Sequence, residues 1–459
     1  MSGPSSSGPA SSGQFGSRLG FILAAAGSAI GLGNIWRFPY TVGESGGAAF
    51  VLVYLGFVAL IGVPVLLAEL AIGRASGKNP VGAFRALGGR HGEAWAWVGR
   101  LGVLTGFGIL SFYSVIAGWT LSYLWRALSG EFAAVMSPAQ SGAIFEEIIA
   151  NPGEVVTMAG VFLLLTALVV RGGVSGGIER AAKVLMPVFF VILLVLAGRA
   201  VTLPGGGEGL RFLFEPDFSK LSGTAVMSAL GQALFSLSLG MGAMITYGSY
   251  LQKKEGLGVA GISVALFDTG IALLAGLIIF PALFSVGAEP SAGPGLVFVA
   301  MPAIFDQLPA GQAFGVAFYA LLAVAALTST ISLLEVVVAY VVGERGIKRE
   351  TAVWLVTGLC FVVAVPSALS QGAVEGLGAE GLGGQSFLDL MNIVFGNISL
   401  SLGALLIAIF AGWTWGVVPA LEEMNGMSLG GLWAAAIKFL CPIAIAGVMG
   451  YILVTGRFF

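Results

Sequence analysis

Gly27-Ser28-Ala29-Ile30-Gly31-Leu32-Gly33-Asn34 and Ser236-Leu237-Ser238-Leu239-Gly240-Met241-Gly242 are the two stretches that decide how this chain folds. Each interrupts an apolar run long enough to be a membrane helix. Glycine and serine at this density disfavour a continuous helix. A bilayer offers no water to free N–H and C=O groups, so irregular backbone at that depth survives only where it lines a cavity or is buried in protein. A single interruption is equally explained by glycines that let helices pack closely. Two, each with hydroxyl or amide side chains, at matching positions of two five-helix halves, point to a binding site between inverted repeats.

The surrounding composition agrees. Of 459 residues, 57% are hydrophobic and 10% charged, against about 25% charged in a soluble domain, so there are too few charges to cover a water-facing surface. The pattern predicts an all-α integral membrane protein. A span needs roughly 20 apolar residues, and eleven segments qualify: 15–42, 46–73, 96–128, 153–171, 178–202, 222–251, 256–287, 311–343, 350–370, 386–416 and 430–456. They divide as a single domain over 15–456, with a first repeat at 15–202, a second at 222–416 and an extra helix at 430–456. Pro290, Pro294, Pro302 and Pro309 break the stretch near 290–310 into a loop with a short helix. Residues 1–14, rich in Ser, Gly and Pro and uncharged, read as a disordered tail. No basic n-region precedes the first segment, so it does not read as a cleaved signal.

The net charge of −2 argues against a nucleic-acid partner. Cys360 and Cys441 lie in apolar runs and suggest no disulfide framework. One histidine, His91 in a charged loop, cannot build a metal cluster. Most of the 21 Lys and Arg fall on connections that share a side with the N-terminus, among them Arg74, Lys78, Arg85, Arg90, Arg100, Arg171, Arg180, Lys183, Lys253, Lys254, Arg345, Lys348 and Arg349. The other side has Arg126, Arg199, Arg211, Lys220 and Arg457. This asymmetry predicts a multi-pass protein of the cell's inner (plasma) membrane with a cytoplasmic N-terminus.

Glu69, Asp268 and Glu335 fall inside predicted spans. A carboxylate at a helix centre costs about 2.5–3.5 kcal/mol on insertion scales, and a bound cation is one natural partner. A backbone amide or hydroxyl is another, and for Glu69, close to Arg74, and Glu335 both readings stay open; Glu335 fits the lining of a wet inner vestibule. Thr328-Ser329-Thr330 is a hydroxyl cluster in an apolar helix. Sodium is a hard ion that takes oxygen ligands, yet the same hydroxyls can bond back to the preceding turn.

The stretch RLGFILAAAGSAIGLGNIWRFPY from Arg18 to Tyr40 resembles helix one of the neurotransmitter:sodium symporter family, and GQALFSLSLGMGAMITYGSY from Gly231 to Tyr250 resembles its helix six. Leu327-Thr328-Ser329-Thr330 is similar to the helix-eight sodium signature, and Gly177 and Pro187, nine residues apart, match a helix-five pattern. The resemblance runs from about residue 15 to 456. It implies the leucine-transporter fold, with helices 1–5 and 6–10 as inverted repeats and helices 1 and 6 broken, and symport of a neutral, hydrophobic L-amino acid with two sodium ions. By resemblance, a first sodium site comprises the Ala29 carbonyl, Asn34, Ser236 and Asp268. A second comprises the carbonyls of Gly27, Ile30 and Ala325 with the hydroxyls of Thr328 and Ser329. The substrate carboxylate is implied to meet the amides of Leu32 and Gly33 and the Tyr113 hydroxyl. Its ammonium is implied to meet Ala29, Phe235, Ser236 and Ser238, and its side chain Ile109, Tyr113, Phe235, Met241, Ser329 and Leu333. Arg37 and Asp389 match an outer gate pair that would form a salt bridge.

Two departures stand out. Phe15 and Ser12 stand where the family has a Trp and an Arg of the inner gate. Asp268 stands where the family usually has Asn, and Ala272 where chloride-dependent members have a serine, although Tyr54, Gln232 and Ser236 match other positions of the chloride site. The fixed carboxylate is expected to replace the anion and to take up a proton when sodium leaves. A sodium-coupled carrier of an imino acid or small amine and a proton-coupled carrier of the same fold are the alternatives. No nucleophile, metal cluster or nucleotide loop supports a membrane enzyme, and no filter supports a channel. The sequence does not specify an oligomeric state.

Overall fold

The computed structural model describes residues 13–133, 137–288, 290, 293–308, 310–424 and 429–455, whose regular structure is all helical, without strands. The expectations for the tail over residues 1–12, for Ser12, Pro309 and Arg457, and for the end of the last span at residue 456 fall outside these residues. Among the described residues nine helices are long and apolar enough to cross a membrane, and Arg18–Ala29 with Gly33–Glu44, bent by 50°, makes a tenth. Gly223–Ser236 and Ala243–Ser249, joined by the non-helical Leu237–Gly242, form the sixth of eleven spans. The others are Ala48–Ser76, Gly92–Ser129, Pro152–Arg171, Val174–Val201, Leu257–Ser285, Gly311–Arg345, Arg349–Leu369, Phe387–Thr414 and Gly430–Thr455. The third span thus starts four residues before the expected position 96, directly after a helical turn over Gly89–His91. The fifth starts at Val174, where a π-helical turn over Val174–Glu179 extends it.

Helix ends follow local chemistry. Ser17 accepts from the Gly20 amide, Asn79 from Gly82 and Asn151 from Glu154, which satisfies first-turn donors. Gly77, Gly130 and Gly346 close helices in the left-handed conformation. Near 290–310 a short helix covers Ala300–Asp306, as the prolines suggested.

The third and eighth spans form the centre. Their most apolar windows are 83% buried, against 28% for the eleventh span. The broken first and sixth spans lie beside them. In the sixth, Ser238, Gly240 and Gly242 all adopt positive φ. Such a run ends a helix for any L-residue chain. The freed amide of Gly240 is taken by the Glu69 carboxylate at 2.7 Å, so Glu69, fully buried, caps the break from the second span. Arg74, which the sequence sets close to it, pairs instead with Glu423.

Gly240 has φ +82°, and a Cβ on it would lie 2.8 Å from the Ala404 amide nitrogen. Gly240→Ala is expected to destabilise the protein by roughly 2–5 kcal/mol, read as a lower thermal midpoint in detergent. Gly270→Ala, where nothing lies within 4 Å of the new Cβ, is expected to leave the midpoint unchanged.

Candidate functional site

The two breaks meet at the centre of the bundle. Ser238 Oγ donates to the Ser28 carbonyl at 2.9 Å, and Gln232 Nε2 to the Gly33 carbonyl at 2.8 Å. Between them lies a small cavity of about 30 Å³, lined by Ser28, Ala29, Gly31, Gly33, Ile109, Tyr113, Phe235, Ser238, Met241, Ser329 and Leu333. Nine of these were expected around a substrate. Ser28 and Gly31 were not, and a Cβ on Gly31 would press on the Tyr113 and Ser329 hydroxyls. Leu32 and Ser236, also expected there, sit elsewhere: Leu32 on the wall of an outer cavity, and Ser236 turned toward Asp268. The Tyr113 hydroxyl accepts from the Leu32 amide at 2.9 Å. This hydroxyl sits beside the start of the Gly33–Glu44 half-helix, where the helix dipole favours negative charge.

The outer cavity is larger, about 200 Å³, and shares Gly33, Tyr113 and Phe235 with the inner one. These three residues form the partition. Arg37 and Asp389 both line the outer cavity, but the expected ion pair between them is absent in this conformation. The Arg37 guanidinium lies over the Phe235 ring, 4.6 Å from its centroid, and the Asp389 carboxylate is held by Ser386 at 2.6 Å in a capping box.

Asp268, Asn34, Ser236 and Tyr54 are all buried. Ser236 Oγ lies 2.9 and 2.8 Å from the two Asp268 carboxylate oxygens. Asn34 Nδ2 is 2.7 Å from Oδ1 of Asp268 and 3.2 Å from Ser236 Oγ. Tyr54 Oη reaches Ser236 at 3.5 Å. No Lys or Arg pairs with Asp268 among the described residues, so a fully buried carboxylate faces only neutral groups. The carboxylate and hydroxyl oxygens of this cluster, brought together from the first, sixth and seventh spans, are the ligand type a hard monovalent cation takes, while Asn34 turns its Nδ2 to Asp268 and its Oδ1 to the Gly31 amide. No group of three or more His, Cys, Asp or Glu among the described residues suits a transition metal. Ala272 is buried and brings no hydroxyl to the positions of Tyr54, Gln232 and Ser236.

The second predicted set also converges. Thr328 Oγ1 lies 2.9 Å from the Ala325 carbonyl and 3.3 Å from that of Ile30, and Ser329 Oγ lies 3.3 Å from the same Ile30 carbonyl. Gly27 faces them, and a Cβ on it would lie 3.2 Å from Thr328 Cβ. The Thr328 bond to Ala325 is the local back-bond, while the bonds to Ile30 cross from the eighth span to the first. The hydroxyls serve both readings that the sequence left open.

The opposite end is closed by Phe15 and Glu335, both marked in the sequence, together with Tyr250, Arg349 and Glu179, whose roles there it did not mark. Phe15 is buried and packs edge-on against Phe21, Tyr247 and Tyr250. Glu335 is fully buried rather than lining a wet vestibule. It forms a bidentate pair with Arg349 at 3.0 and 2.5 Å and accepts from Tyr250 at 2.6 Å. Glu179 takes the Gly16 amide at 2.6 Å, Ser17 Oγ at 2.9 Å and Lys183 Nζ at 2.6 Å. It fastens the start of the first span to the fifth. The one sequence signal for Glu179 is its place two residues after Gly177 in a chain poor in charge.

The profile of the sodium:neurotransmitter symporter family matches residues 12–138 and 139–457. The chain belongs to this family. It is 41% identical over 437 residues to the uncharacterized sodium-dependent transporter YhdH of Bacillus subtilis, covering 94% of this chain and 96% of that one. It is 28% identical to the sodium- and chloride-dependent GABA transporter ine of Drosophila melanogaster, over 77% of this chain and 43% of that one. A crystal structure of MhsT in complex with L-phenylalanine superposes with a TM-score of 0.88 at 46% identity, over 95% of this chain and 98% of that one. The protein is a multi-pass membrane carrier with the leucine-transporter fold, it is not an enzyme, and its transport is sodium-coupled.

Removing the Glu179 carboxylate deletes charge-assisted bonds worth about 1.5–3 kcal/mol. In Glu179→Ala, amide exchange across residues 16–27 is expected to accelerate roughly tenfold or more. The same measurement on Glu208→Ala is expected to show no change, since Glu208 is exposed.

Proposed function

We propose that this protein carries neutral, predominantly hydrophobic L-amino acids together with two sodium ions, without chloride, across the plasma membrane, with its N-terminus in the cytoplasm. The observation that carries the reading is the buried Asp268 carboxylate without a basic partner, held by Ser236, whose neighbour Phe235 stands in the wall of a cavity that both helix breaks line. A cation answers the first feature and a zwitterion the second. MhsT, bound to L-phenylalanine in its solved structure, is the relative whose ligand bears most directly on this.

The substrate carboxylate would meet the Tyr113 hydroxyl and the amides of Leu32 and Gly33, and the ammonium the carbonyls around Ala29, Phe235 and Ser236 with Ser238. Sodium would bind at Ala29, Asn34, Ser236 and Asp268, and again at Gly27, Ile30, Ala325, Thr328 and Ser329. The cavity as it stands has room for little more than ordered water. A side chain entering it must displace Met241 and Phe235. Met241, unbranched and flexible, adapts to several shapes. No Lys, Arg, Asp or Glu lines the cavity, so a charged side chain would be buried unpaired there.

Transport would alternate between an outward arrangement, with the Glu335–Arg349–Tyr250 and Glu179 contacts closed, and an inward one in which they part. The two five-helix halves, 15–202 and 222–416, supply the symmetry that such rocking uses. Sodium would favour the outward form and add its charge beside the substrate carboxylate. Asp268 would supply the negative charge that chloride brings in chloride-dependent relatives and would take a proton when sodium departs.

Thr328→Ala with Ser329→Ala removes two oxygens of the second set. Sodium affinity, read from the sodium dependence of uptake into proteoliposomes, is expected to fall beyond the roughly 10–100-fold typical of outer-shell changes. Wild-type sodium dependence in that variant would sink the assignment. In a competition panel, leucine, alanine and tryptophan are expected to outcompete glutamate and lysine. Uptake in sodium gluconate should equal that in sodium chloride, and Asp268→Asn should weaken transport or make it respond to chloride. Loss of most native uptake on chloride replacement contradicts the role given to Asp268.

A further inference from the structure

A third cavity, of about 400 Å³, lies away from the transport path between the third, eighth and ninth spans. Eight of its ten lining residues are apolar, and Leu104, Leu355 and Leu359 among them are about half exposed. In a bilayer this cavity opens toward hydrocarbon. The polar groups of its lining are the Arg100 guanidinium and the Tyr340 hydroxyl. Arg126, Arg171 and Arg349 are each paired with a glutamate. Among the described residues Arg100 has no carboxylate within 4.0 Å, and its guanidinium rests on the exposed Trp97 ring, 4.5 Å from the centroid.

The depth is that of a headgroup. The third span, Gly92–Ser129, has 38 residues and is about 57 Å long at 1.5 Å per residue. This overshoots a bilayer of about 40–45 Å including headgroups. Arg100 stands eight residues from the end that shares a membrane face with the N-terminus. Tyr340 stands five residues from the matching end of the eighth span. Trp and Arg at this level are the ordinary anchors of an interface. An unpaired cation at the mouth of an apolar slot asks for an anion with a hydrocarbon tail.

We propose that this cavity is a binding site for one anionic phospholipid of the leaflet nearest the N-terminus. One acyl chain fills the slot, the phosphate meets Arg100, and an ester oxygen accepts from Tyr340. The lipid braces the third, eighth and ninth spans against one another, and so supports the eighth-span segment that bears Thr328, Ser329 and Glu335.

The test is native mass spectrometry and thermal unfolding of delipidated protein in detergent, with phosphatidylglycerol, phosphatidylcholine of the same chains, or inorganic phosphate added. The wild type is expected to retain phosphatidylglycerol over phosphatidylcholine by about fivefold, the effect of one basic side chain at the surface. R100Q should bring the ratio to about one and abolish the thermal gain specific to phosphatidylglycerol. Y340F should weaken retention while keeping the preference, and it carries the test if R100Q does not fold. Four results overturn the proposal: equal retention of both lipids by the wild type, an undiminished preference in R100Q, a gain from inorganic phosphate equal to that from the lipid, or a dimer that excludes lipid from the groove.

Discussion

Backbone amides and carbonyls without helical partners, held where no water can reach them, are the constraint on which the structure rests. At Ile30 and across Leu237–Gly242 the chain stops being helical inside the bundle, and every freed group must find a partner in protein or cargo. Glu69 takes the Gly240 amide, the Tyr113 hydroxyl takes that of Leu32, and Gln232 and Ser238 take the carbonyls of Gly33 and Ser28. These partners come from the second, third and sixth spans, so the breaks dictate what their neighbours must carry.

The two ends of the path are closed by different physics. Toward the N-terminal face, a bidentate ion pair and a carboxylate with three donors join rigid elements in a buried setting. Such pairs cost much to separate but contribute little when intact, because desolvation offsets their attraction. On the other face, Arg37 rests on an aromatic ring and Asp389 on its own helix cap. Beside Gly33, the partition there is made of Phe235 and Tyr113, side chains that swing on one bond. The protein is therefore stiff at one end and adjustable at the other in this conformation.

Much of this was legible in the residues. The eleven spans follow from apolar length, and both breaks from glycine and serine density, since those signals are local. The convergence of Thr328 and Ser329 on Ile30, and of Asn34 and Ser236 on Asp268, was legible only through the resemblance, because no local rule brings residues 34, 236 and 268 together. Glu179 was not marked, and Arg349 was read only as one of the charges that orient the chain, because each lies next to a span end, where a charge needs no special explanation. The Arg37–Asp389 pair was expected from matching positions alone. The competing partners, Phe235 and Ser386, are ordinary side chains whose reach depends on the conformation adopted.

The four residues from Ser28 to Gly31 touch everything at the centre. Ser28 and Gly31 line the cavity, the Ile30 carbonyl receives Thr328 and Ser329, and the Gly31 amide bonds to Asn34 of the Asp268 cluster at 3.1 Å. Ligands that share so short a stretch of chain cannot bind as strangers. Whatever factor sodium contributes to the hold on the organic cargo, the cargo must return to sodium in full, because linkage between two binding equilibria is reciprocal. With the sites proposed above, symport in this protein is a property of one unwound turn that all three share.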